Sequence, residues 1–174
     1  MMSFFLRFFL SISISFCYLF SGVAFSQQSV KVTNEEDSYG DWTVRCSQRE
    51  GSEKRCVMQQ QSFITSTKQR LMHVSVNKVG DEKQDVITFA LPLLTYLPAG
   101  MQLYFDEIRE KSVPIIYCDQ SACYVKMALD KSLANKISES KKIFVVVTSV
   151  QDRSKPVQIP FSNEGFKQAL SKLK

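Results

Sequence analysis

The run Trp42-Thr43-Val44-Arg45-Cys46 puts Trp42, Val44 and Cys46 on one side of the chain and Thr43 and Arg45 on the other. That period of two is the signature of a half-buried strand. A second such run, residues 55–64, opens around Cys56, and the polar stretch 47–55 lies between the two cysteines. Two strand-like runs flanking a polar connection read as an antiparallel hairpin. Working outward, similar short runs cover residues 70–79, 85–91, 101–105, 113–118, 123–129, 142–150 and 157–161. They are punctuated by Gly51, Gly80-Asp81 and Pro98-Ala99-Gly100, residues that set or tolerate turn geometry. Many short strands without the helices a parallel sheet requires predict an all-β antiparallel sandwich or barrel.

Two short peripheral helices interrupt the pattern. Asp130 can cap one carrying Leu133, Ala134 and Ile137, and Ser162 or Asn163 can cap another over 164–173. In the second, Phe166, Ala169, Leu170 and Leu173 share a stripe, as expected of a lid docked on the sheets. Ile143-Phe144-Val145-Val146-Val147 is apolar throughout, which predicts a central strand covered on both faces, with the C-terminal helix as its second cover.

The first 26 residues stand apart. They hold seven of the thirteen Phe, one cation (Arg7) and an apolar run from Phe8 to Phe20, and end in Ala24-Phe25-Ser26. This is the pattern of a secretory signal peptide, too short in its apolar stretch for the roughly 20 residues a spanning helix needs. Residues 27–38 are polar and aperiodic, and read as a flexible N-terminal arm before a single sandwich domain at 39–174. Without Arg7, 21 of the 22 cations face 17 acids, a mild net +4.

Export also changes how the cysteines are read. With Cys17 in the leader, Cys46, Cys56, Cys118 and Cys123 remain, an even number that favours disulfides in an oxidising compartment. Four cysteines allow three pairings, and spacing favours the two local bridges, Cys46 with Cys56 and Cys118 with Cys123, without settling the choice. Zinc is the rival reading, weakened by the spacing and by the presence of a single histidine.

Few residues suggest reaction chemistry. His73, the one histidine, alternates with Met72, Val74 and Val76 and so falls on the solvent side of its strand, with neither a nucleophile elbow nor an HExxH pattern around it. Asp106-Glu107 follows a strand but would point its carboxylates apart. No catalytic residue, metal or cofactor is expected, and no glycine-rich phosphate loop is present. Cations gather as Arg45, Arg49, Lys54 and Arg55 and as Lys131, Lys136, Lys141 and Lys142. With acids interleaved they read as solvated faces, and without alternating aromatics they do not form a nucleic-acid platform. Trp42 is expected in the core beside a disulfide. The segment Leu91-Pro92-Leu93-Leu94-Thr95-Tyr96-Leu97 reads as tucked into the core, the alternative being an exposed patch for a partner, with Tyr96 and Tyr104 as candidate contact residues.

These pieces together resemble a known family. Tyr39-Gly40-Asp41-Trp42 with Cys46 four beyond the tryptophan, Cys56, Leu97-Pro98-Ala99-Gly100, the Cys118/Cys123 pair, Gly165-Phe166 and Ala169-Leu170 are similar to the invasion-associated locus B proteins across essentially all of residues 39–173. The chain departs from that pattern at Pro92-Leu93-Leu94, where a glycine is expected soon after the proline, so this loop is expected to take its own shape. The resemblance implies an immunoglobulin-like β-sandwich in an exported protein of Gram-negative alphaproteobacteria. In pathogenic members it implies a contribution to host-cell invasion, notably of erythrocytes, and no catalytic residues. The expectation is therefore a non-enzymatic protein located in the periplasm, at the outer membrane or outside the cell. It would act through a protein partner at the envelope or host surface, with peripheral membrane association left open and no oligomeric state assigned. The alternative is a periplasmic ligand-binding or envelope-maintenance module without direct host contact.

Overall fold

The computed structural model describes residues 31–80 and 84–173. The expected leader, Met1 to Ser26, lies outside the described residues, as do Gln27 to Val30 of the expected arm. Residues 31–173 form two antiparallel sheets with a shared core. The larger has seven strands in the order β1-β2-β3-β4-β5-β9-β8, and the smaller has four in the order β11-β10-β6-β7.

The large sheet comprises β1 (Val32–Tyr39), β2 (Trp42–Arg49), β3 (Arg55–Phe63), β4 (Arg70–Val79), β5 (Gln84–Leu91), β8 (Tyr117–Cys118) and β9 (Cys123–Ala128). The small sheet comprises β6 (Met101–Phe105), β7 (Ile108–Val113), β10 (Ile143–Val147) and β11 (Val157–Pro160). Alternation decides what each buries. Trp42 and Val44, Met72, Val74 and Val76, and Ile87, Phe89 and Leu91 turn inward from the large sheet. Met101, Leu103 and Phe105 with Ile143, Val145 and Val147 meet them from the small one. This is the antiparallel β-sandwich with two short helices that the alternation predicts.

Five expectations need correction. The polar arm is not loose from Val32 onward: β1 pairs with β2 along eight registered residues, from Val32 with Arg49 to Tyr39 with Trp42. No hydrophobic period betrays this strand, because nearly all of its residues are exposed; what fits it to its neighbour is charge, Glu36 against Arg45 at 2.9 Å and Glu35 against Lys54. β7 was hidden for the same reason, being exposed up to Val113. Residues 113–118 are consequently not one strand: Val113 ends β7 in the small sheet, Pro114 offers no amide hydrogen to continue it, and Tyr117–Cys118 joins the large sheet. Asp106 and Glu107 are not a strand end but the two residues of the β6–β7 hairpin turn, at φ 48° and 71°. The Asp106 carboxylate makes this turn tenable by accepting the Lys141 and Lys142 amides at 2.8 and 2.9 Å.

The fifth correction concerns the helices. α1 (Lys131–Glu139) is capped as expected, Asp130 accepting the Leu133 amide at 2.8 Å. α2 spans Phe166–Ser171 and is preceded by Gly165 in the left-handed region rather than capped by Ser162 or Asn163. It packs on β1 and β2. The outer face of β10 is covered by other means: Phe144 stacks on Tyr104 at 4.9 Å and lies under the Lys142 ammonium. β10 is nevertheless internal to its sheet, as its apolar run requires.

Both local disulfides form, Cys46–Cys56 between paired residues of β2 and β3 and Cys118–Cys123 between paired residues of β8 and β9. They close short loops, so each restricts the unfolded chain by roughly 2–3 kcal/mol in the chain-entropy picture. The rival zinc reading ends here, because disulfide sulfur is not a thiolate ligand. The core cluster and both disulfides lie within residues 31–173, so a chain beginning at Gln27 carries every described strand and helix.

Candidate interaction surfaces

Two of the family-like motifs, Tyr39-Gly40-Asp41-Trp42 and Gly165-Phe166, converge on one latch. Gly40 sits in the β1–β2 turn at φ 55°, and a Cβ there would lie 2.6 Å from the Glu164 carbonyl oxygen. Gly165 is at φ 81°, and a Cβ there would lie 1.8 Å from the Tyr39 carbonyl oxygen. The two backbones touch because neither has a side chain, and the Asp41 amide donates to the Glu164 carbonyl across the junction at 3.1 Å. Beside it, the Trp42 indole Nε1 donates to the Ser162 carbonyl at 2.9 Å and its ring meets Phe166 edge-on at 5.3 Å. Gln60 completes the joint. Its amide nitrogen donates to the Asp41 and Ser162 carbonyls, and its oxygen accepts the Ser162 amide at 2.7 Å. The residue two beyond Met58, Gln60 occupies an inward position of β3, where a polar side chain in the sequence signals a buried network.

Trp42 is fully buried, as expected, and its latch is structural. The candidate contact tyrosines are each engaged separately. Tyr104, half-buried on the outer face of β6, stacks on Phe144 and donates to Gln102 at 3.2 Å. Tyr96 lies under the Arg153 guanidinium, 4.1 Å from its ring centre. The segment around Tyr96 differs from its predicted core placement: Leu91 and Thr95 are buried, but Leu93, Leu94 and Leu97 are about half exposed. Backbone bonds to the β10–β11 loop, Tyr96 to Thr148 at 2.7 Å and Val150 to Leu94 at 2.8 Å, hold the segment along the surface. The exposed patch weighed as the alternative is what forms.

Among the described residues, four of the eight clustered cations are ion-paired. Arg45 and Lys54 pair with β1, Lys136 with Glu110 at 2.6 Å and Lys142 with Glu107 at 2.5 Å. Such exposed pairs stabilise weakly, by about 0.2–1 kcal/mol each, and they offset half the positive charge of each basic cluster. Among the described residues no group of three or more His, Cys, Asp or Glu is placed to hold a metal ion. Asp119 is held at about 2 by the Ser121 hydroxyl and then by the Ser121 and Ala122 amides, a clamp on the turn inside the second disulfide.

His73 lies on the outer face of β4, its Nε2 3.1 Å from Gln59 Oε1. Partial burial, followed by the fields of Arg70 and Arg45, lowers its pKa below the ordinary 6.5. The folded protein therefore resists a proton that the unfolded chain accepts. His73 contributes fully above pH 6.5, and that contribution is lost as pH falls below it. Urea unfolding at pH 7.5 and 5.5 should show this loss in the natural chain and a smaller one in His73→Gln. Equal pH sensitivity in both would assign the effect to other groups.

Comparison with known proteins gives the latch and the sandwich a family context. Residues 42–174 match the model of the invasion associated locus B protein family. Invasion protein B homologues of Brucella abortus, in strain 2308 and in biovar 1 strain 9-941, are each 26% identical over 138 residues, covering 79% of this chain and 78% of theirs. The crystal structure of invasion associated protein B from Bartonella henselae has the same fold, with a TM-score of 0.67 at 21% identity over 80% of this chain and 94% of that one. From the Trp42 latch through the C-terminal helix, the chain belongs to the invasion associated locus B family.

Proposed function

We propose that this protein is an exported, non-enzymatic accessory of host-cell invasion that acts by contact with another protein at the bacterial envelope or host surface. Erythrocytes are the host cell that the resemblance suggests. The observation that carries this reading is that the family match spans the entire described sandwich beyond β1, so the invasion-associated family is represented by a whole folding unit. A core joined from both sheets and stapled twice gives loops and sheet faces a fixed geometry, which favours recognition through preorganised surfaces.

A chromosomal deletion complemented with the natural gene tests the role. Invasion should fall in the deletion strain and return on complementation, and the Tyr96→Ala and Tyr104→Ala variants should restore it less well at equal protein level. Labelling of intact bacteria decides where contact occurs. Invasion unaffected by deletion, or a protein shielded from label throughout infection, would overturn host contact and favour the periplasmic alternative.

A further inference from the structure

The half-exposed leucines of the Pro92–Leu97 segment belong to a larger apolar edge. Leu93, Leu94 and Leu97 are 48%, 52% and 50% exposed, Val150 on the adjoining β10–β11 loop is 47% exposed, and Phe63 at the end of β3 is 51% exposed. Phe63 and Pro92 line one cavity of about 370 Å³, and the Leu94 carbonyl accepts the Val150 amide, so three separate chain segments contribute these side chains to the edge. Their exposure is built in. Thr95, almost wholly buried, donates through both its amide and its hydroxyl to the Pro92 carbonyl, and Tyr96 is tied to Thr148, so the leucines cannot fold back into the core without breaking these bonds.

Cations predominate around this rim. Lys68 and Arg70 line the same cavity as Phe63 and Pro92, and Arg153 lies over Tyr96. Among the described residues none of these three cations has an ion-pair partner. Two acids lie nearby, Asp119 held by its turn and Asp152 paired with Lys155; both keep their charge but are outnumbered by Lys68, Arg70, Arg153 and Lys155. A two-fold contact between copies would press like charges together, which disfavours self-association through this rim. Aliphatic tips with cations set beside them instead match a lipid surface, where apolar groups enter the acyl boundary and cations meet anionic headgroups. Among the described residues no helix is long and apolar enough to cross a membrane.

We propose that the edge carrying Phe63, Leu93, Leu94, Leu97 and Val150, with Lys68, Arg70 and Arg153, docks the sandwich on an anionic phospholipid bilayer. This goes beyond the host contact proposed above, and because Tyr96 lies within the same edge under Arg153, the lipid assay with purified protein tests it apart from invasion. The test uses the purified Gln27–Lys174 chain with phosphatidylcholine vesicles made with and without phosphatidylglycerol. The protein should cosediment with the phosphatidylglycerol vesicles and dissociate with added salt. The partition coefficient should fall about tenfold or more in L93S/L94S and about fivefold for each cation removed in K68Q/R70Q. All these positions are exposed, so far-ultraviolet circular dichroism should stay unchanged. Should either variant misfold, L94W serves in its place: brominated phosphatidylglycerol should quench its emission but not that of S52W in the β2–β3 loop. Equal binding to both vesicle types, wild-type partitioning by L93S/L94S, or equal quenching of the two reporters overturns the proposal. So would an oligomer that L93S/L94S dissociates without any effect on lipid binding, which would reassign the edge to a protein contact.

Discussion

Gly165→Ala is expected to destabilise the protein by about 3 kcal/mol or more, while Gly51→Ala costs only about 1 kcal/mol. Both glycines have positive φ, 81° and 76°, so both substitutions bear the cost of placing an L side chain in the left-handed region. They differ in what the new methyl meets. At Gly51 nothing lies within 4 Å. At Gly165 the methyl would fall 1.8 Å from the Tyr39 carbonyl oxygen and 2.2 Å from its carbon, both backbone atoms that no rotamer change can move aside. Relief requires the β1–β2 turn and the start of α2 to separate, which breaks the Asp41 to Glu164 hydrogen bond and withdraws Phe166 from Trp42. Urea unfolding measures the difference. The fluorescence of Trp42, the sole tryptophan, should shift to the red in Gly165→Ala alone if the helix undocks. Equal losses for the two variants would show that handedness, rather than close approach, determines the glycine at 165.

That latch shows what the sequence could and could not reveal. Alternation located most strands because a sandwich buries one face of each, and Trp42-Thr43-Val44 in β2 or Met72 through Val76 in β4 carry the pattern plainly. It failed at β1 and β7, which bury almost nothing: both are held by backbone ladders, β1 also by the Glu36–Arg45 pair across to β2 and β7 by the Glu110–Lys136 pair to α1. A hydrophobic period cannot mark a strand that has no buried face. The local disulfides were favoured by spacing because a hairpin brings its end residues together. The Gly40–Gly165 contact joins residues 125 positions apart and leaves no periodic trace; each glycine alone looks like an ordinary turn. The leucine segment misled for a different reason. Leu93, Leu94 and Leu97 have core composition, but the backbone bonds of Thr95, Tyr96 and Val150 fix the loop with those side chains outward. Composition reports a preference for burial, whereas the loop's hydrogen bonds decide which face is presented.

Trp42→Ala should cost about 3–5 kcal/mol, the range for truncating a large buried aromatic, because the ring is wholly enclosed between β2 and α2. Trp42→Phe separates the contributions. It retains an aromatic body against Phe166 but removes the Nε1 donor, leaving the Ser162 carbonyl with only the longer Gln60 contact at 3.3 Å. The expected loss is about 1–3 kcal/mol, combining an under-satisfied carbonyl with the space the smaller ring leaves. Pairing each change with Phe166→Ala gives the ring–ring coupling, expected at about 0.5–1.5 kcal/mol between Trp42 and Phe166 and retained in Trp42→Phe. The leucine edge lies on other segments, and the latch residues contribute nothing to its lining. At a denaturant level where Trp42→Phe remains folded, its vesicle partitioning should therefore equal that of the natural chain. A stable Trp42→Phe with no measurable loss would show that the indole hydrogen bond is dispensable and that packing alone fixes the tryptophan. A partition coefficient that fell with Trp42→Phe would tie the latch to the membrane edge, and the two would then have to be treated as one cooperative unit.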